Sequence, residues 1–464
     1  MPPNVARVPT SLLWFRRDLR LSDHPALLAA RDAAGSGGSV LPLFVVDPRL
    51  WGPAGRPRRS FLRDCLADLD AALGGALVVR TGDPADVVAR LAGEVGAGSV
   101  HVSADPGPYG RRRDAAVERA LGDVPLERTG SPYAVAPGRL TKDDGTPYRV
   151  FTPFARAWRR HGWRAPAPRP RAAPWHRGAR SDGLPPAAGP GGVRLPAAGE
   201  SAAHAAWRRF RDERLAGYDG ARNTPGVDGT SRLSVHLKYG CLHPRTLLAD
   251  LADADAPRED VRRFTDELAW RDFYADVLWH RPETAHEAFD PRMARLEYDT
   301  GPDADARFTA WAQGRTGYPI VDAGMRQLLG EAWMHNRVRM ITASFLTKDL
   351  HVDWWRGARH FLAHLVDGDL ASNNHGWQWV AGTGTDASPY HRVFNPVRQG
   401  QQYDPDGEYV RRWVPELRDV PDRYVHEPWK APGGVPTGYP EPIVEHAAER
   451  EVALARYEQV RAGA

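Results

Sequence analysis

VLPLFVV at 40–46, followed by the amphipathic stretch RRSFLRDCLADLDAAL at 58–73, decides how the first part of this 464-residue chain folds. An uninterrupted apolar run of strand length reads as a strand buried on both faces. The helical spacing after it reads as a helix laid over that strand. The pattern extends in both directions: SLLWF (11–15) and PALLAARDAA (25–34) precede it, and ALVVR (76–80) and SVHVS (99–103) follow. Such alternation predicts an α/β domain over residues 9–135, a parallel, doubly wound sheet of the five-stranded type. No G-x-G-x-x-G follows the first strand, so a ligand here is held by something other than the usual dinucleotide loop.

Beyond this domain, Pro166, Pro168, Pro170, Pro174, Pro185, Pro186, Pro190 and Pro196 lie among Ala, Gly and Arg. That composition predicts an extended stretch without a core of its own, and residues 136–200 are assigned as an interdomain linker. Residues 201–464 turn mostly helical, broken by glycine-rich loops, and predict a larger all-α domain. A net charge of +4 and a pI near 9.1 are compatible with a nucleic-acid partner without requiring one. No apolar run spans a bilayer, the N-terminus lacks a secretory pattern, and Cys65 and Cys241 form no metal-type spacing. A cytoplasmic monomer without a structural metal is expected.

The run DGDLASNNHGWQWVAGTGTD (367–386) mixes acids, amides, four glycines and two tryptophans. A plain core does not need that mixture, because buried Asn and Asp are costly unless every polar group is partnered. It suits a flat, hydrogen-bonding guest. GTSRLS (229–234) places small hydroxyl residues at a loop-to-helix junction, suited to a pyrophosphate or to simple capping. In ELAWRDFY (267–274), Glu267, Trp270, Arg271 and Tyr274 share one helical face, as either a pocket wall or a half-exposed face with an ion pair. In WMHNRVRMITASF (333–345), Asn336 and Met340 share a face while Arg337 and Arg339 are expected to point elsewhere. Asp367 and Asp369 are candidate partners for Arg339.

Together with TGYPIVDAGMRQL and GTDASPYHRVFNP, these runs resemble the photolyase–cryptochrome family along nearly the whole chain, and most closely class I cyclobutane pyrimidine dimer photolyases. The resemblance implies a light-dependent DNA repair lyase in which photoexcited, reduced FAD donates an electron to a pyrimidine dimer flipped out of UV-damaged DNA. It implies FAD contacts from Tyr218, Thr230, Ser231, Arg232, Leu233, Ser234, Phe264, Arg339, Asp367, Gly368, Asp369 and Asn373. Glu267, Asn336, Met340, Trp270 and Arg271 take the catalytic positions, and Arg222, Tyr274, Arg337, Trp379 and Gln399 join them in contacting DNA. Trp377 and Trp354 match the first members of the family's photoreduction chain, with Tyr298 where a tryptophan is usual.

PYGRRRD at 108–114 resembles the branch that carries an 8-hydroxy-5-deazaflavin antenna more than the methenyltetrahydrofolate branch. It implies antenna contacts from Arg58, Asp105, Tyr109, Gly110, Arg111 and Lys238, with a capped surface turn as the plain alternative. A cryptochrome-type blue-light receptor is the functional alternative. Glu267, Met340 and Asn373 argue for repair.

Overall fold

The structure, a computed structural model, describes residues 10–170, 174–189, 191–387 and 392–462. Pro190 of the expected linker and residues 388–391 of the GTDASPYHRVFNP run lie outside the described residues. Five strands, β1 (Thr10–Phe15), β2 (Ser39–Val46), β3 (Val78–Thr81), β4 (Ala97–Val102) and β5 (Leu126–Arg128), form one parallel sheet in the order β3-β2-β1-β4-β5. β5 gives little signal in the sequence because Leu126 alone of its three residues is buried.

Every residue of β1 is buried, since both faces of the sheet are covered. Leu12 and Trp14 pack into a core with Val87, Val88, Leu91 and Val117 from the helices Pro84–Val95 and Pro108–Leu121. Leu13 and Phe15 face the helices Pro25–Ala34 and Arg56–Ala72. That second core continues without a break to Trp207, Phe210 and Phe264 of the helical part. The two parts therefore share buried apolar area.

The chain leaves β1 toward β2 on one side, and β4 lies on the other. The carboxyl ends of β1, β2 and β4 thus surround a topological switch point, where open parallel sheets bind ligands. Arg16, Arg17, Asp47 and Asp105 sit at or just beyond those strand ends.

The span 136–200 is not wholly extended. It contains the helix Phe151–His161, whose Phe154 and Trp158 recur four residues apart and are buried, with Trp158 Nε1 donating to Asp272 Oδ2 at 2.9 Å. The described residues of the proline-rich stretch beyond it include irregular segments that meet the sheet, with Val40 bridged to Trp175 and Asp182 N donating to Val79 O.

The helical part is organised around the 23-residue helix Arg258–His280 and the helices Pro319–Glu331, Asn336–Ser344, Trp354–His364 and Leu370–Ala381. Its own core gathers Trp311, Phe345, Phe361, Trp377 and Tyr409. Among the described residues no helix is long and apolar enough to cross a membrane, and no cluster of His, Cys, Asp or Glu is arranged to hold a metal.

Candidate active site

A cavity of about 510 Å³ opens within the helical part, walled by the helices Arg258–His280, Asn336–Ser344 and Leu370–Ala381 and by the 230–234 loop. Asp369 caps the last of these helices, accepting from Ser372 N at 3.1 Å, so a single residue sets both the start of the helix and a charge at the cavity floor. Arg339 donates to Met334 O at 2.8 Å and to Asp367 Oδ2 at 2.9 Å. The second Asp367 oxygen is buried and has no hydrogen-bond partner among the described residues. A buried carboxylate oxygen in that position requires a donor. Asn373 spends its amide nitrogen on Ala358 O and Asn374 Oδ1, which leaves its carbonyl as its remaining polar group on the cavity wall.

Asp369 is bound from the α/β part: Arg17 Nη2 reaches Asp369 Oδ2 at 2.6 Å. Burial works to raise the Asp369 carboxyl, but Arg17, Lys238 and Arg271 overcome it and hold the group well below the usual carboxylate range. Lys238 is pushed down to about 8 by burial and by the nearby Arg17 charge, against the pull of Asp369.

At the mouth, Glu267 pairs with Arg222 at 2.5 Å. Burial raises its carboxyl above the ordinary range, and Arg222 and Arg263 draw it partly back. Trp270 stands on the same helix with one face stacked on Phe151 at 3.7 Å, nearly parallel. Asn336 and Met340 lie one turn apart on the wall, and His335 caps their helix by accepting from Arg337 N. Arg337 and Arg339 do not point elsewhere. Both line the cavity with Asn336 and Met340, because the hollow wraps around this end of the helix and meets two of its faces. Arg337 bonds Asn223 Oδ1 at 2.9 Å and lies over Tyr403.

Tyr218, Thr230, Ser231, Arg232, Leu233, Ser234, Phe264, Gly368, Arg271, Tyr274, Trp377 and Trp379 are on the same wall. Arg232 adopts φ +51, unusual for a residue with a side chain, and is steadied by Glu331 at 3.1 Å and by the Trp333 ring. Gln399 is not on the wall. It sits on the helix Pro396–Tyr403, one turn before the Tyr403 ring beside Arg337. Trp354 and Tyr298 also stand away from it. Trp377 makes ring contacts with Phe361 at 4.9 Å and Trp311 at 6.1 Å, whereas Trp354 is buried against Trp355 and Tyr298 is half-buried at the edge of the core.

A second cavity of about 290 Å³ lies at the switch point of the sheet, and Lys238 and Asp369 line both hollows. Arg58, Asp105, Tyr109 and Gly110 are on its wall. A Cβ at position 110 would overlap the Asp105 carboxylate, so a side chain there would displace that group from its place beside Arg113. Arg111 is not on the wall. It faces outward with its guanidinium 4.1 Å from the Trp279 ring centre, because Tyr109 and Arg113 hold the inward face of that helix four residues apart. Arg113 was missed in the sequence, as were Arg16, Arg17 and Asp47. Arg113 pairs with Asp105 at 3.2 Å and Asp114 at 2.8 Å, Arg16 pairs with Asp114 at 2.6 Å, and the Tyr109 hydroxyl donates to Asp47. For Arg16, Arg17 and Asp47 the position just past a strand carboxyl end was the available signal.

The description "FAD binding domain of DNA photolyase" matches residues 264–459, and "DNA photolyase" matches residues 11–172. The chain belongs to the DNA photolyase family. The deoxyribodipyrimidine photo-lyase of Escherichia coli K12 is 42% identical over 478 residues, covering 98% of this photolyase and 99% of the relative. A crystal structure of a bacterial class III photolyase from Agrobacterium tumefaciens is similar at TM-score 0.91 and 38% identity, covering 99% and 100% of the two chains. An archaeal photolyase from Sulfolobus tokodaii, solved with two FAD molecules, is similar at TM-score 0.83 and 28% identity, covering 97% and 100%. The matched FAD-binding domain contains the larger cavity's acid–amide wall, and the free Asp367 oxygen suits a heterocycle that offers N–H donors.

Proposed function

We propose that this chain is a class I cyclobutane pyrimidine dimer photolyase, a carbon–carbon lyase that repairs UV-damaged DNA in light. The observation that carries the reading is one hollow with two chemistries: Asp367, Arg339 and Asn373 share its lining with Glu267, Trp270, Asn336 and Met340. When bound and reduced, FAD supplies the electron that opens the dimer. Asp367, through the oxygen Arg339 does not hold, and Asn373 orient the ring system. Tyr218, Phe264 and the 230–234 loop enclose the rest of the cofactor.

The chain's own residues then do three things. Trp270 and Trp379 offer apolar faces to a pyrimidine dimer drawn out of the stack, where aromatic stacking returns roughly 1–3 kcal/mol per base against a flipping cost of a few. Asn336, Met340 and Arg337 hold the dimer against them. Glu267, whose carboxyl burial raises against the pull of Arg222 and Arg263, hydrogen-bonds the dimer and stabilises negative charge arriving there. Arg222, Arg271, Arg337 and Gln399 meet the phosphates, so binding weakens steeply with salt. Trp377 connects the flavin wall to the interior, and Trp354 and Tyr298 continue the reduction path.

In the smaller cavity we place the 8-hydroxy-5-deazaflavin antenna rather than a folate. Trp14 Nε1 and the Nε atoms of Arg17, Arg58 and Arg59 are buried there without hydrogen-bond partners among the described residues, and all are donors. An acceptor-rich, acidic chromophore satisfies them. Arg111 serves only from outside the wall. Residues 9–135, 136–200 and 201–464 are taken as the antenna domain, connector and FAD domain, in a cytoplasmic monomer. The class III neighbour shares the fold, so the class I assignment rests on the quoted motifs.

The deciding experiment gives reduced protein a dimer-containing oligonucleotide, in blue light and in darkness. Restored pyrimidines only in the light are expected. Tight binding with no light-dependent splitting would instead point to a photoreceptor. The absorption spectrum of protein from a deazaflavin-producing host tests the antenna.

A further inference from the structure

The only two cysteines of the chain are 176 residues apart in sequence and adjacent in the fold. Cys65 lies on the Arg56–Ala72 helix of the α/β part, and Cys241 follows the helix Ser234–Tyr239 of the helical part. Their sulfurs are 3.5 Å apart and neither residue has measurable solvent exposure. The backbone around Cys241 is fixed. Gly240, at φ +68, packs so closely on the Arg17 carbonyl that no Cβ fits, Arg20 Nη1 donates to Gly240 O at 2.9 Å, and Cys241 N donates to His236 O at 3.0 Å. On the opposite side Phe61 of the cysteine-bearing helix packs on Tyr239 and His236.

We propose that Cys65 and Cys241 are a modification site: an intramolecular disulfide, formed by hydrogen peroxide, that staples the α/β part to the helical part. A disulfide needs sulfurs about 2.04 Å apart, so the pair must close by roughly 1.5 Å. The two thiols are electronically unequal. Burial raises Cys65, while the hydrogen bond with Cys65 and the neighbouring His236 draw Cys241 down against burial. Cys241 is therefore the nucleophile. Its thiolate attacks one peroxide oxygen, breaking the O–O bond, forming a sulfenic acid and releasing hydroxide, which takes up a proton to leave as water. The Cys65 thiol then attacks the Cys241 sulfur as the S–O bond breaks, and its proton passes to the departing hydroxide, which leaves as a second water. In total two thiols and one peroxide give one disulfide and two waters. Peroxide is small enough to enter by local opening of the interface.

The staple would lie directly behind both cavities. Tyr239, two residues before Cys241, donates to Arg58 O and Val366 O, and Lys238 lines both hollows. A cross-link closing so long a loop also restricts the unfolded chain, which raises thermal stability.

The test treats the full-length holoprotein with hydrogen peroxide, then denatures it in an alkylating reagent and maps the peptides without reductant. The expected result is loss of both alkylatable thiols, a linked Cys65–Cys241 peptide, a higher Tm, and reversal of all three by dithiothreitol. Cys65→Ala should give no linked peptide and no rise in Tm. If both thiols stay alkylatable, or Cys241 proceeds to sulfinic acid with no cross-link, the proposal is overturned. Should the variant fail to fold, peptide mapping of the unaltered protein alone decides.

Discussion

At the scale of single residues, the site divides into pairs that sequence could suggest and pairs it could not. Arg339 and Asp367 lie 28 positions apart in neighbouring runs, and a buried carboxylate needs a cation, so their pairing was open to anticipation. Arg17 and Asp369 are 352 positions apart, and no spacing rule joins them. Arg111 was misplaced for a related reason: three arginines in succession look alike until the helix sorts them by face. Glu267→Ala should lower the light-driven splitting rate by at least about tenfold, since a hydrogen bond involving a charge is worth about 1.5–3 kcal/mol. Flavin content should not change, and Glu267→Gln should retain part of the rate. A splitting yield equal to the parent's would remove the proposed role. Asp367→Ala leaves Arg339 without its anion and the flavin wall without its acceptor. Flavin retained through gel filtration should fall, with affinity reduced roughly 30-fold or more for a loss of about 2–3 kcal/mol. Splitting by whatever holoprotein remains is the control that separates binding from chemistry.

At the scale of elements, the helix Leu370–Ala381 shows why the 367–386 run is so polar, and only part of the reason is the cavity. Asp369, Asn373 and Trp377 meet the hollow. Asn374, His375 and Gln378, on another side, splint the 284–289 backbone: Asn374 Nδ2 donates to Ala285 O at 2.6 Å, and His375 is 2.9 Å from Thr284 Oγ1. Gln378 Nε2 donates to Thr284 O and Glu287 O at 3.0 Å each, and its Oε1 accepts from Phe289 N at 2.8 Å. From sequence, Asn373 goes to the guest while Asn374 and Gln378 are left without a task, because one-dimensional sequence does not say what the second face of a doubly polar helix meets. Gln378→Leu should cost about 2–4 kcal/mol by stranding backbone groups that a buried site cannot hydrate. Thermal unfolding should report the drop, while the flavin spectrum at low temperature stays that of the parent. Flavin loss without a change in Tm would mean that Gln378 belongs to the site.

At the scale of the molecule, the layers were legible and the way they join was not. Four apolar runs and their intervening amphipathic stretches foretold the sheet, whereas the core shared between Leu13, Phe15, Trp207 and Phe264 joins residues too distant for any local pattern. Such extensive burial has a consequence for acid stability. In an unfolded chain a histidine takes a proton below about pH 6.5 and an aspartate below about 3.9. Burial holds His335 and His360 down to about 3, and His243 and His375 to about 4. Each native histidine refuses a proton that the unfolded chain accepts, so each costs stability as pH falls below about 6.5. Burial also lifts Asp272, Asp322, Asp349 and Asp404 to about 6. Between about pH 4 and 6 these native acids keep protons the unfolded chain has released, so they add stability as pH falls. Smaller shifts are similarly matched, with His101, His204, His351 and His426 lowered against Glu267, Asp276 and Asp353 raised. The two groups offset, and the Tm should be nearly level from about pH 6 to 4. It should then fall below about pH 4, where Asp18, Asp23, Asp105 and Asp369, held ionised against burial by neighbouring cations and hydrogen bonds, take protons in the unfolded chain that the native state refuses. His360→Phe, which keeps a ring beside Trp311 and Phe308, removes one histidine from the balance. Relative to the parent, it should gain about 1.4 kcal/mol per pH unit as pH falls through that window. A parent profile that declines steadily from pH 6 would mean that the buried acids do not hold their protons, and the matching of the two groups would fail.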